Sequence, residues 1–141
     1  MKTNVVVVGS MNVDLTIRSK RLPQAGETII GGRFSSGGGG KGANQAIAAV
    51  RSGADVRFIA RVGTDAYGKD LVDRFTSEGI HTEHIVHDPS YPTGVAFILV
   101  DEHGENSIVV ASGANGRLSP DDVDRAADEV RTAGVLLTQL E

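Results

Sequence analysis

Four consecutive valines, Val5 to Val8, stand near the start of the chain, and a β-branched run without polar alternation reads as a strand buried on both faces. Such a strand belongs inside a parallel sheet with helices on either side. Val56 to Ala60 repeats the pattern, Ile85-Val86 is a shorter version, and Gly134 to Leu140 is the last. Helical periodicity fills the intervals. Ala43, Ala46, Ile47 and Val50 fall at i, i+3, i+4 and i+7 on a helix ending near Gly53, and Leu71, Val72 and Phe75 mark the inner stripe of one from about Tyr67 to Thr76, capped by Thr64 or Asp65. Ser119 caps a further helix, with Pro120 at its first position, Asp121 and Asp122 on its positive end, and Val123, Ala126, Ala127 and Val130 inward.

A second kind of patterning interrupts this alternation. Val13, Leu15 and Ile17 alternate with polar residues, Leu22 to Gly26 reads as a turn, and Thr28 to Ile30 with Arg33-Phe34 read as short strands. Thr93 to Val100 and Ser107 to Ala111 flank the polar turn Asp101 to Asn106 as a hairpin. The expectation is an α/β fold, with a Rossmann-like, mostly parallel sheet flanked by helices and joined by right-handed crossovers. A small antiparallel β-sheet lid, from segments about 13–36 and 93–112, is inserted into a single domain, 1–141. No helix follows the last strand, so the sheet is expected to be incomplete there.

Composition narrows the function classes. With 141 residues, 40% hydrophobic and 23% charged, the chain has the makings of one soluble domain with a sizeable core. Its net charge of -4, with both signs mixed, offers no basic footprint for nucleic acid. Lacking cysteine, it suits a reducing cytoplasm. Gly9, Asn12 and Asp14 end the first apolar run too early for a signal peptide or a membrane span. His81, His84 and His87 recur every third residue, but that spacing on a strand or connector does not converge on a metal, and they are expected to be solvated surface.

The glycine-rich stretch from Ser35 to Gln45 is the first candidate site. Glycine-Lys41 is followed by Gly42 where a Walker loop needs Ser or Thr, and Gly37, Gly39 and Gly42 fit GxGxxG only as any glycine run does, far from the strand that should precede it. What remains is a flexible loop entering a helix N-terminus, where backbone N–H groups, the helix dipole and Lys41 favour an anion or a polyhydroxyl ligand. Asn12 and Asp14 follow the first strand's carboxyl end, where open α/β sheets bind ligands; they hydrogen-bond sugar hydroxyls or merely close a turn. Glu141 falls on the same rim, and Ala96, Ile98 and Val110 supply either an apolar wall for a sugar or ordinary sheet core.

Taken together, Gly9-Ser10-Met11-Asn12-Val13-Asp14, Pro23-Gln24-Ala25-Gly26-Glu27-Thr28, Gly39-Gly40-Lys41-Gly42-Ala43-Asn44-Gln45-Ala46, Thr93-Gly94-Val95-Ala96, Gly113-Ala114-Asn115 and Gln139-Leu140-Glu141 give the chain its kinship. In order and spacing, it resembles the N-terminal half of the ribokinase-like (phosphofructokinase B type) carbohydrate kinase family. The resemblance implies transfer of the γ-phosphoryl group of MgATP to a sugar's primary hydroxyl, D-ribose at its 5-hydroxyl for the subgroup most similar to this chain. It implies that Asn12, Asp14, Gly39, Gly40, Lys41, Asn44 and Glu141 bind the sugar, with Lys41 also near the transferred phosphoryl group. Ala96, Ile98 and Val110 fall on lid positions, and the lid implies a homodimer. MgATP and a monovalent cation are implied for the full-length enzyme, none of them held by this chain alone. Family members are longer, and the Gly-Ala-Gly-Asp segment that supplies their catalytic aspartate and anion hole is missing here, so no catalytic base is assigned and the isolated chain is expected to be inactive. The extra glycines Gly37 and Gly38 are expected to loosen the loop. Alternatives are a non-catalytic sugar-binding module or another sugar or nucleoside kinase of the family.

Overall fold

The structure is a computed structural model and describes residues 2–139. Strands β1 (Asn4–Val8), β4 (Asp55–Gly63), β5 (Ile85–Asp88) and β8 (Val135–Thr138) form an all-parallel sheet. Its order is β5-β4-β1-β8. The valine run behaves as its composition dictates. Val7 joins Val5, Val56, Phe58 and Ala60 on one face, against Ala43 and Ala46 of α1 (Lys41–Arg51) and Leu71 and Phe75 of α2 (Ala66–Ser77). Val6 turns the other way with Ile59 onto Ala126, Val123 and Val130. Burial on both faces leaves no room for polar alternation, which is why none is present. Phe58 and Phe75 meet with ring centroids 6.1 Å apart.

The helix expected to run from Ser119 is two short ones, α3 (Pro120–Asp124) and α4 (Ala127–Thr132). The break lets Ala126, 2% exposed, drop onto Val6 and Ile59. The predicted cap at Ser119 forms, as a capping box with Asp122. Asp122 has a second task. Arg61 on β4 reaches it through Nη1 at 2.7 Å and Asp88 on β5 through Nε at 2.9 Å, tying α3 to two strands. His81, expected on solvated surface, instead places Nε2 2.9 Å from the Asp55 carboxylate, which also takes Arg57 at 2.8 Å. Among the described residues no helix is long and apolar enough to cross a membrane.

The second sheet consists of β2 (Asn12–Arg18), β3 (Arg33–Gly39), β6 (Gly94–Val100) and β7 (Asn106–Ala111), in the order β3-β2-β6-β7. It is mixed rather than antiparallel, because β2 and β6 run parallel. Both leave the carboxyl rim of the first sheet, β2 from β1 and β6 from β5, and so start in the same direction. Thr28 to Ile30 form no strand. Gly26, Gly31 and Gly32 around them have positive φ, which breaks a ladder, and Ile30 is almost fully exposed.

A larger correction concerns the glycines. Gly37, Gly38 and Gly39 are not a loop but the end of β3, paired with Asp14, Val13 and Asn12. A Cβ on Gly38 would stand 3.2 Å from Leu71 Cδ2, so the missing side chain lets α2 pack against the strand. Gly40 alone of the four, with φ 91°, makes the bend into α1.

Replacing Arg61 by Ala leaves the Asp88 carboxylate, 6% exposed, without its arginine, and the Asp122 carboxylate, 1% exposed, with Arg125 at 3.0 Å as its remaining cation. We expect a loss of about 3–5 kcal/mol in urea unfolding at pH 7. Backbone N–H groups of Ser90 and Tyr91, with Arg61, hold Asp88 below its ordinary value. Burial pushes Asp122 up, but hydrogen bonds from Arg61 and Ser119 outweigh it. A carboxylate lowered in the fold stabilises it above the unfolded value of about 3.9 and stops doing so as pH falls through the folded one. The gap between wild type and Arg61→Ala should therefore narrow on acidification below that point.

Candidate binding site

Between β1 and β2 the chain crosses the rim as Gly9-Ser10-Met11, and the bend at Gly40 lies directly against it. Ala43 N donates to Ser10 O at 2.9 Å. A Cβ on Gly42 would fall 2.7 Å from the Gly9 carbonyl carbon, and one on Gly40 2.8 Å from Ser10 O. The two backbones touch, which only glycine at both positions allows. The first strand's tip and the helix N-terminus thus share one place.

Asn12, 4% exposed, is the first residue of β2, opposite Gly39 and Gly94. Asp14, half-buried, pairs with Gly37 and Ala96. A Cβ on Gly39 would be 2.2 Å from both Asp14 carboxylate oxygens, so the carboxylate lies across the bare face of that glycine. Lys41 and Asn44 stand exposed on the first turn of α1, whose N-cap Gly40 has no side chain and whose first turn has no acid. The dipole's positive end therefore carries no built-in counter-charge from its own helix. Ala96 and Val110 share a row with Asp14, and Ile98 lies in the next row on the same face. Ala96 is buried while Val110 is exposed. Val13 and Leu15 point to the other face, into the core.

Glu141 lies outside the described residues. Two residues earlier, the Gln139 amide covers Gly9, where a Cβ would overlap its Oε1, and Gln139 Nε2 donates to Gln45 Oε1. Gly9, Ser10, Asn115 and Gln139 line a cleft of about 150 Å³ there. A larger open cleft of about 840 Å³ sits at the far end of the lid among Arg18, Lys20, Arg33 and Asp101, and none of the candidate residues lines it.

Three residues outside the sequence-predicted site set hold it in place. Asn115, in the 3-10 turn Gly113–Arg117, accepts from Met11 N at 2.9 Å and donates to Met11 O at 3.1 Å and Asn12 Oδ1 at 2.7 Å. Asp65, expected only as a cap for α2, accepts from Gly68 N at 3.0 Å and also from Thr93 N at 2.7 Å and Thr93 Oγ1 at 2.8 Å. Thr93 Oγ1 accepts from Gly63 N at 3.0 Å, so β4, α2 and the start of β6 meet at one buried hydroxyl. Burial pushes the Asp65 carboxyl up, but the bonds from Thr93 and Gly68 outweigh it and leave it below its ordinary value. The sequence carried one signal for Asn115. Gly-Ala-Asn occurs twice, at 42–44 and 113–115, once at each wall of the site.

A parallel α/β sheet with polar side chains on its carboxyl rim, roofed by a second small sheet, is the arrangement in which α/β proteins bind small molecules. Residues 2–140 match the model of the pfkB family carbohydrate kinases, and the chain belongs to that family. It is 44% identical over 141 residues to the ribokinase of Haemophilus influenzae, covering all of this chain and 46% of that protein. Identity to the deoxyribokinase of Salmonella typhi is 38% over 138 residues, covering 98% of this chain and 45% of that one. The solved ribokinase of Arabidopsis thaliana complexed with ribose and ATP superposes with a TM-score of 0.82 at 35% identity, covering 99% of this chain and 46% of that one. The chain thus spans about half the length of the relatives it matches.

Substituting Gly42 by Ala should push α1 away from Gly9-Ser10. The expected cost is about 1–3 kcal/mol in urea unfolding, the range for an overpacked contact. A stability equal to wild type would show that the two backbones do not need to touch.

Proposed function

We propose that the complete protein phosphorylates D-ribose at its 5-hydroxyl with ATP, and that this chain supplies the sugar-binding half and the lid. The observation that carries the reading is the meeting of Asn12 and Asp14 with the bend at Gly40, on one face with Ala96. The ribose-and-ATP complex of a structural relative supports the choice of ligands. In this reading Asp14 accepts hydrogen bonds from sugar hydroxyls, Asn12 and Asn44 add polar contacts, and Gly39 and Gly40 let the sugar approach the backbone. Glu141 is assigned to the same sugar. Lys41 and the α1 N-terminus place positive charge where the phosphoryl group arrives, as alignment and charge stabilisation are most of what phosphoryl transfer needs. Ala96, Ile98 and Val110 form the apolar wall.

MgATP, with a monovalent cation as activator, belongs to the complete enzyme. The groups that would hold a nucleotide are not assigned to this chain, and Asp14 is a sugar ligand rather than the base. The lid also offers a surface for a homodimer. Ile17, Phe34, Phe97 and Val109 are exposed on the face opposite Asp14, an apolar patch of the kind that a second copy covers.

A coupled ATPase assay tests the activity. The complete gene product should turn over ATP only when ribose is present, and the 141-residue chain alone should show negligible turnover. Absence of ribose-dependent turnover in the complete product would sink the proposal. Asp14→Ala should weaken ribose binding by about 1.5–3 kcal/mol, the scale of a lost charged hydrogen bond, by calorimetry. Unchanged affinity would remove Asp14 from the site.

A further inference from the structure

We propose that Asn115 fixes the polarity of the Asn12 amide, presents Asn12 to the ligand as a hydrogen-bond donor, and thereby sets which sugar hydroxyls the site requires; this rests on the sugar-site reading above. The Met11 backbone N–H can only donate. It donates to the Asn115 side chain at 2.9 Å, so that atom is Oδ1. The other end of the amide is then Nδ2, which donates to Met11 O at 3.1 Å and to the Asn12 side chain at 2.7 Å. Whatever receives from an NH2 group is an acceptor, so that atom of Asn12 is Oδ1. Turning Asn12 over would set two NH2 groups against each other.

Asn12 Nδ2 is left as the end to be used. Among the described residues it donates to no acceptor, yet it keeps an edge open to solvent, since the buried side-chain atom left without a partner there is Gln139 Oε1 and not Asn12 Nδ2, although Asn12 as a whole is 4% exposed. A donor so placed is open to a ligand oxygen, and a ligand that covers it without accepting from it costs free energy. The amide pair also needs space that only glycine leaves. A Cβ on Gly94 would lie 2.2 Å from Asn115 Nδ2 and 2.3 Å from Asn12 Oδ1. Asn115 is itself anchored, since Ala114 N donates to Pro92 O at 2.8 Å, Asn115 N to Ser112 O at 3.1 Å and Leu118 N to Asn115 O at 3.1 Å.

Two residues further along the same face stands Asp14, an acceptor when ionised. Donor and acceptor side by side fit a pair of neighbouring hydroxyls, one receiving from Asn12 and one donating to Asp14. A sugar lacking the first leaves Nδ2 buried without a partner. Sites built to hydrogen-bond a hydroxyl reject the analogue without it for this reason. Asn115 is a positioning residue in this scheme, as it acts through Asn12.

The test uses the complete gene product and compares ribose with 2-deoxyribose and 3-deoxyribose, reading KM and kcat for each. Wild type should discriminate against one deoxy sugar by about tenfold or more in KM. Asn115→Asp still accepts from Met11 N–H but has no donor for Asn12, which then turns Nδ2 to the new carboxylate. That variant should bring the KM ratio close to one by weakening ribose alone, with KM rather than kcat carrying the change. In an Asn12→Ala background it should alter the ratio no further. Asn12→Asp keeps the bond from Asn115 while removing the donor, so it should lose the same discrimination even if Asn115→Asp folds poorly. A ratio that survives both substitutions, or an equal loss for every sugar, overturns the inference alone. A wild type that takes none of the three sugars overturns the sugar-site reading and the inference with it.

Discussion

The contact between two stretches of bare backbone, Gly9-Ser10 at the rim and Gly40 to Gly42 at the start of α1, is the constraint on which the rest depends. Any side chain at Gly40 or Gly42 would meet main-chain atoms at 2.7–2.8 Å. The contact decides where α1 begins relative to β1, and so where Lys41 stands relative to Asn12. It also decides where β3 must end, because the chain reaches Gly40 directly from Gly39. With β3 fixed, the pairing of Asn12 with Gly39 and Asp14 with Gly37 follows from the two-residue period of the strand.

Charge holds the surrounding frame. Arg61 joins Asp88 to Asp122, and Asp65 joins Gly68 to Thr93. In each case a carboxylate taken out of water is held by several donors, the condition under which a buried charge is tolerated. These carboxylates sit where elements leave the parallel sheet at its carboxyl rim, where packing alone is least able to fix a direction. Thr93 in particular aims β6, and with it Ala96, at the row that contains Asp14.

Much of this was legible in the residues. The valine run specified a doubly covered strand, and Thr64-Asp65 and Ser119 specified helix starts, since both signals are local. The glycine stretch misled because a glycine run reads as loop when only its own propensity is considered. Its strand pairing comes from β2, a partner two dozen residues away, and from Leu71 on α2, which needs the empty face of Gly38. The parallel pairing of β2 with β6 was invisible for the same reason, as was the break at Ala126, set by Val6 and Ile59 beneath it. Asn115 is a hundred residues from its partners, and the repeated Gly-Ala-Asn marks its position without announcing an amide aimed at Met11.

A floor of glycine in a strand has a consequence for specificity. In the proposed sugar site β3 contributes Gly37 and Gly39 to the face that bears Asp14, so it gives volume and no chemistry. The chemistry comes from β2, and the apolar contact from β6 and β7. One strand therefore supplies both Asn12 and Asp14 at a spacing that the pleat fixes, and on the proposed reading a sugar has to match that spacing with its own oxygens. In the proposed sugar site a ring with hydroxyls on adjacent carbons does so, whereas a flat apolar molecule would cover the Asn12 amide and the Asp14 carboxylate without offering either a hydrogen bond. The rejection of such a molecule needs no separate residue, because the unmet hydrogen bonds themselves supply it.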